Sequence, residues 1–189
     1  MNSNTAEQTH PAVNGVDVDQ LMYVIDSIGA DQTFGAFQFR ADNQWIEGGL
    51  NRSSIQDFFA GGQEDETRTE TFVLDADEPP LIAGNDSAPN PVEYVLHALA
   101  GCLTTTMVFH AAVRNIQIDS CESHLEGDID VRGLLGLADD VKKGFNKVRV
   151  TMKVKSDADV ETLTELAMFS AVYEMISNAL PVELVIEKI

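Results

Sequence analysis

Between Asn90 and Arg114 the chain reads NPVEYVLHALAGCLTTTMVFHAAVR, and its apolar residues (Val95, Leu96, Leu99, Leu103, Met107, Val108 and Phe109) fall on every face of a helix. A helix without a polar side is predicted to be buried all round. Asn90-Pro91 marks its start, because proline fits the first helical turn, where its missing N–H costs nothing. The stretch is long enough to cross a bilayer, but Glu93, His97, the run Thr104-Thr105-Thr106 and His110 interrupt it. Several polar groups are rare in a membrane span, so the pattern predicts a central core helix. At its middle, Ala100-Gly101-Cys102 sets small residues around one thiol, where another backbone or a ligand can come close.

Other patterns order themselves around this helix. Asp17-x-x-Gln20 resembles a capping box, and Leu21, Val24, Ile25 and Ile28 follow at helical spacing up to Gly29, predicting an amphipathic helix. Phe37 and Phe39 alternate with polar residues over 34–41, and a turn at Asp42-Asn43 leads to Trp45 and Ile46, a hairpin signal. Gly48-Gly49 permits a tight bend before an extended piece over Asn51–Ile55, and Gly61-Gly62 leads into a strand predicted over Arg68–Leu74. The segment Asp75–Pro89, rich in Asp, Pro, Gly and Asn, predicts an irregular linker. After the central helix, Ile116 and Ile118 keep one alternation phase and Leu125, Ile129 and Val131 the other, which predicts a bulge near Ser120-Cys121. A loop over Gly133–Gly144 reverses the chain. Val148, Val150, Met152 and Val154 then alternate with Lys147, Arg149, Thr151 and Lys153, as in an antiparallel strand with one wet face. Asp157 is read as the cap of a helix whose apolar face is Val160, Leu163, Leu166, Ala167 and Ser170, continuing through Ile176 to Asn178. Val182–Ile189 is predicted as a closing strand. Strands flanking two long helices make the class α+β.

The 189 residues are enough for one substantial core, with residues 1–14 read as a flexible tail and 15–33 as a helical extension. A formal net charge of −19 argues against nucleic-acid phosphates and anionic lipid as partners. The polar start lacks a signal-peptide pattern, which places the protein in the cytoplasm as an expectation. There the two cysteines, Cys102 and Cys121, are expected to be free thiols. The spacing of His10, His97, His110 and His124 fits no metal motif, and neither a phosphate loop nor a serine nucleophile elbow is present, so no cofactor is expected.

The central helix, with Asn90-Pro91-Val92-Glu93 at its start and Ala100-Gly101-Cys102 at its middle, resembles that of the OsmC/Ohr family, the osmotically induced protein C and organic hydroperoxide resistance proteins, whose motif runs NP-x-E, an apolar stretch, then A-x-x-C. The resemblance extends to Phe72–Pro80 with Gly84 and Asp86 before the helix, and to Gly127–Asp130 with Gly133, Leu135, Gly136 and Leu137 after it. Ser170-Ala171-Val172 and Pro181-Val182 sit where the family has its C/S-P-V and P-V pieces. It covers roughly residues 34–189, read as one domain. It implies antiparallel sheets wrapped around long central helices in an intertwined homodimer.

For chemistry, the resemblance implies that Cys102 is a peroxidatic thiol, attacking a hydroperoxide O–O bond and becoming a sulfenic acid. From composition alone, a cysteine among Ala, Gly and Leu is also an ordinary small core residue. The family supplies a cation to the thiolate, assigned here to Arg52 with Arg40 in reserve, and a glutamate near the helix start to hold it, assigned to Glu93. The match departs in three ways. Leu50 follows the glycine pair, where the family often has its arginine, and Val92 separates Pro91 from Glu93. Ser170 stands where the family's peroxidases carry the second, resolving cysteine, so an external thiol reductant is implied. Two functions follow: a thiol-dependent organic hydroperoxide reductase of stress response, or a non-enzymatic binder of an apolar small molecule with an inert Cys102.

Overall fold

The computed structural model describes residues 12–178 and 180–188. Most of the tail expected over 1–14 therefore lies outside the described residues, as does Ile189. The chain divides into two compact units, Met1–Val95 and Leu96–Ile189, and each is built on its own sheet or sheets.

The first unit opens with α1 (Val18–Ala30), where the Asp17 carboxylate accepts the Gln20 N–H at 2.9 Å, the cap that the sequence announced. Gly29 lies inside the helix rather than ending it; the Asp31 N–H closes the last turn on Ser27 O. After a 3₁₀ turn over Gln32–Gly35 come β1 (Gln38–Phe39), β2 (Asp42–Glu47), β3 (Leu50–Ile55), β4 (Phe58–Ala60), β5 (Gln63–Asp65) and β6 (Phe72–Ala76). They form two antiparallel sheets, ordered β1-β4-β5 and β2-β3-β6. The hairpin expected between Phe34–Ala41 and Trp45 does not form. β1 pairs with β4, where Phe39 stacks on Phe58 with centroids 5.6 Å apart, and β2 instead turns back on β3 through Gly48. Gly48 adopts φ +54°, a left-handed conformation that glycine enters without a Cβ penalty. The strand expected from Arg68 starts only at Phe72, because Arg68 itself lies over the Phe58 and Phe72 rings at 4.6 and 5.5 Å.

Asp77 organises the linker between β6 and the central helix. Its side chain is fully buried and accepts the backbone N–H groups of Glu78, Asn85 and Ser87 and the Ser87 hydroxyl. The N–H and hydroxyl of Ser87, then the N–H of Glu78, hold this carboxylate below its ordinary range against the effect of burial. One acid thus satisfies three backbone N–H groups and a hydroxyl of a segment poor in regular structure, whose other donors turn to its own carbonyls.

The central helix, α2 (Pro91–Val113), starts in the first unit and continues into the second. It is long and apolar enough to cross a bilayer by length and composition, a property that core helices share. Its buried residues Leu99, Leu103, Met107 and Ala111 recur every four positions and pack with Ile118, Leu163, Leu166 and Ala167. Burial all round, expected from the sequence, is not observed: Val95 and Phe109 are exposed, because the chain lays its own core against one stripe only.

In the second unit β7 (Ile118–Asp128) pairs antiparallel with β8 (Lys147–Ser156). The register shifts between Ile118 and Ser120, so the predicted bulge exists, one residue earlier than its expected place. Cys121, Leu125, Val148, Met152 and Val154 face the core, while Arg149 pairs with Glu126 and Asp128, and Lys155 with Asp119, on the wet side. A short helix α3 (Val131–Leu134) stands in the connecting loop. The last predicted helix is two: α4 (Val160–Ala167), capped by Asp159 rather than Asp157, and α5 (Ala171–Ser177), broken from it at Met168–Ser170. Residues 182–188 form no strand, and Val182, Leu184, Val185 and Ile186 are each at least 80% exposed.

Candidate functional site

Cys102 stands half-buried in the middle of α2, and the break between α4 and α5 meets it there. Ser170 makes the break: its hydroxyl accepts the Tyr173 N–H at 3.1 Å, replacing the helical bond that a continuous helix would need. The free N–H groups at the new helix start then face the sulfur. Burial is the largest single influence on the Cys102 thiol and pushes its pKa up. It is outweighed by four hydrogen bonds, from the Ser170 hydroxyl, the Val172 N–H, the Thr106 hydroxyl and the Ala171 N–H, so the thiol ionises below its ordinary value. Thr106, one helical turn along α2, lies 3.8 Å from the sulfur. A cluster of neutral donors around a partly accessible sulfur is an environment for a nucleophilic thiolate.

The other predicted residues are in the first unit. The Arg52 guanidinium makes a two-pronged ion pair with Asp75, at 2.7 and 2.8 Å, which raises the arginine's pKa and lowers the acid's. Tyr94, on the first turn of α2, donates to Asp75 O at 2.7 Å. Arg40 pairs in the same forked manner with Glu64. Glu93 and Asn90 cap each other, the Asn90 N–H donating to the Glu93 carboxylate at 2.8 Å and the Glu93 N–H to Asn90 Oδ1 at 2.9 Å. The acid that holds Arg52 is therefore Asp75, which sequence reasoning did not single out for a role. Arg52 and Asp75 face each other in the β3–β6 register, a pairing visible only once the strands are aligned.

Cys121 pairs with Val154 across β7 and β8, and both cysteines are free thiols. Among the described residues no group of three His, Cys, Asp or Glu is arranged to hold a metal ion. His110, two turns beyond Cys102, stacks on Phe169 at 4.2 Å and meets Arg114 at 3.1 Å. Burial first, and then the Arg114 charge, lower its pKa and keep it neutral at pH 7. Beside the site, an apolar groove of about 580 Å³ runs between α2, β8 and α4, lined by Leu103, Met107, Met152, Val154, Leu163 and Tyr173 among others. Thr106 figured in the sequence only as a polar interruption of the helix, and the α5 amides did not figure at all. The four-residue spacing from Cys102 signalled Thr106, but nothing in the sequence announced the amides, since the helical period runs unbroken through Ser170.

The family model described as OsmC-like protein matches residues 84–186, more than half of the chain. No curated protein matches it in sequence. Among solved structures, the chain is similar to an OsmC-like protein from Mycoplasma pneumoniae, with 14% identity over 75% of this chain and 89% of that one and a TM-score of 0.55. It is also similar to an OsmC-like protein of unknown function from Vibrio cholerae, with 13% identity over 77% and 95% and a TM-score of 0.53. At such identities the likeness speaks for the fold, a mixture of helices and antiparallel sheets, as the sequence pattern predicted.

Proposed function

We propose that this chain, which belongs to the OsmC-like protein family, is a thiol-dependent organic hydroperoxide reductase with Cys102 as its nucleophile. The observation that carries the reading is the setting of Cys102, partly buried in mid-helix with the Thr106 hydroxyl 3.8 Å from its sulfur and the donors of the α4–α5 break beside it, which lowers its pKa despite burial. The thiolate sulfur attacks one oxygen of ROOH; the O–O bond breaks, the alkoxide leaves with a proton as ROH, and Cys102 becomes a sulfenic acid. Ser170 beside it has no sulfur to offer. An external thiol R′SH therefore condenses with the sulfenic acid, releasing water, and a second R′SH reduces the mixed disulfide, releasing R′SSR′ and the free Cys102 thiol. The reducing thiols of the cytoplasm fit this need. The cationic arm in this proposal is Arg52, with Arg40 in reserve; it is held by Asp75 rather than by Glu93, and Arg52 must release Asp75 to serve.

Loss of cumene hydroperoxide with dithiothreitol as reductant tests the reading. Wild type and Cys121→Ser should turn over at similar rates and Cys102→Ser not at all. If wild type leaves the hydroperoxide untouched, the second reading stands: a binder of apolar small molecules, supported by the 580 Å³ groove along α2.

The working assembly in this proposal is a homodimer. Val95 and Phe109 on α2 and Val182, Leu184, Val185 and Ile186 are exposed in the single chain, apolar surface that a second copy would cover. Light scattering at micromolar concentration should return twice the chain mass, and a folded monomer would remove the claim.

A further inference from the structure

We infer that Thr106 and Ser170 are positioning residues for the Cys102 thiolate, two neutral hydroxyls that hold the sulfur from α2 and from the α4–α5 break. The inference rests on the reading of Cys102 as the nucleophile and goes beyond it by saying which groups hold the sulfur and favour its thiolate.

Ser170 is only 1% exposed, and its oxygen already accepts the Tyr173 N–H. A hydroxyl carries one proton, and a buried one needs an acceptor. We assign Cys102 Sγ as that acceptor, since the Ser170 side chain is among the groups that lower the thiol's pKa. Thr106 reaches the same atom at 3.8 Å from one turn away, within hydrogen-bond range for sulfur. The comparison with Thr164 is informative, because there the hydroxyl follows the common helical habit and bonds the carbonyl of Val160 at 2.7 Å. Thr106 is turned to the sulfur instead. Once Cys102 has lost its proton, both hydroxyls can only donate to it, so the anion gains two bonds that the thiol makes less well.

Charged neighbours do not offer a simpler account. His110 on α2 is neutral and engaged with Phe169 and Arg114, and Glu174 on α5 accepts from Asn178 at 2.9 Å. Neutral donors hold the anion in the resting protein, while Arg52 is still paired with Asp75.

The test reads ionisation rather than turnover. In a Cys121→Ser background, thiolate absorbance and the rate of iodoacetamide alkylation are followed against pH for Thr106→Val, Thr106→Ser, Ser170→Ala and the double variant Thr106→Val/Ser170→Ala. Each loss of a hydroxyl should move the midpoint up by about one pH unit, the double variant further, and Thr106→Ser should restore the parent curve. Thr106→Val keeps shape and leaves the α5 cap alone, so it remains decisive if Ser170→Ala unfolds α5. An unchanged curve in folded Thr106→Val overturns the role of Thr106, and an unchanged curve in folded Ser170→Ala that of Ser170. Because no hydroperoxide is involved, a parent protein that ionises as described yet consumes no cumene hydroperoxide sinks the reductase reading while leaving this one standing.

Discussion

Ser170→Cys is expected to close a disulfide with Cys102 on treatment with hydroperoxide and to raise dithiol-dependent turnover by at least on the order of tenfold. The serine hydroxyl is within hydrogen-bonding reach of the Cys102 sulfur, and its side chain is enclosed, so a thiol there starts beside its target. Attack by a held thiol has an effective concentration far above that of a dissolved reductant. The exchange is nearly isosteric but removes the cap on Tyr173, at a cost of about 0.5–2 kcal/mol, which α5 should survive. Mass spectrometry of oxidised protein should find the two sulfurs joined, with wild type showing no internal bridge. If instead wild type already turns over rapidly and Cys121→Ser abolishes it, Cys121 is the resolving thiol and Ser170 is only a cap.

Gly84→Ala should be the most damaging small substitution in the linker. A Cβ built there falls 1.7 Å from the carbonyl oxygen of Glu78 and 2.7 Å from its Cα, backbone atoms that no side-chain rotation can clear. That carbonyl accepts the Asp86 N–H at 3.1 Å, and Gly84 itself donates to Pro79 O, so moving either strand of the loop breaks its bonds. With the loop open, the N–H groups of Asn85 and Ser87 leave the Asp77 carboxylate. A loss of at least about 3 kcal/mol follows, or a melting temperature lower by roughly 6–12 °C at fixed protein concentration. Gly144→Ala, where the added methyl meets nothing within 4 Å, is the control and should melt with wild type. Equal melting of both variants would show that the loop is not tied as described.

Much of this was legible in the residues, and the failures have physical causes. Local signals survived: Asp17 caps α1, Pro91 opens α2, and the phase change across β7 marks a bulge. Pairing between distant strands did not, because alternation at Phe37 and Phe39 says which residues share a face and nothing about the partner. The helix break at Ser170 was hidden for a related reason. Val160, Leu163, Leu166, Ala167 and Ser170 keep helical spacing, yet only the buried hydroxyl on Tyr173 N–H separates α4 from α5. Residues 182–188 have strand-forming composition, but a strand needs a partner edge, and none of the described strands pairs with them. For the site, the sequence pointed to Cys102 and to the importance of position 170. It did not announce the hydroxyl and amide donors beside the sulfur, nor that Asp75 holds Arg52 across β3 and β6.

The most direct test of Cys102 as the reacting group is trapping of the sulfenic acid. Protein is treated with one equivalent of cumene hydroperoxide in the presence of dimedone, digested, and each cysteine peptide is quantified by mass spectrometry. The account predicts adduct at Cys102 well ahead of Cys121, because hydrogen-bond donors gathered at the Cys102 sulfur favour its thiolate. Equal labelling of the two cysteines, or none at Cys102, would contradict it.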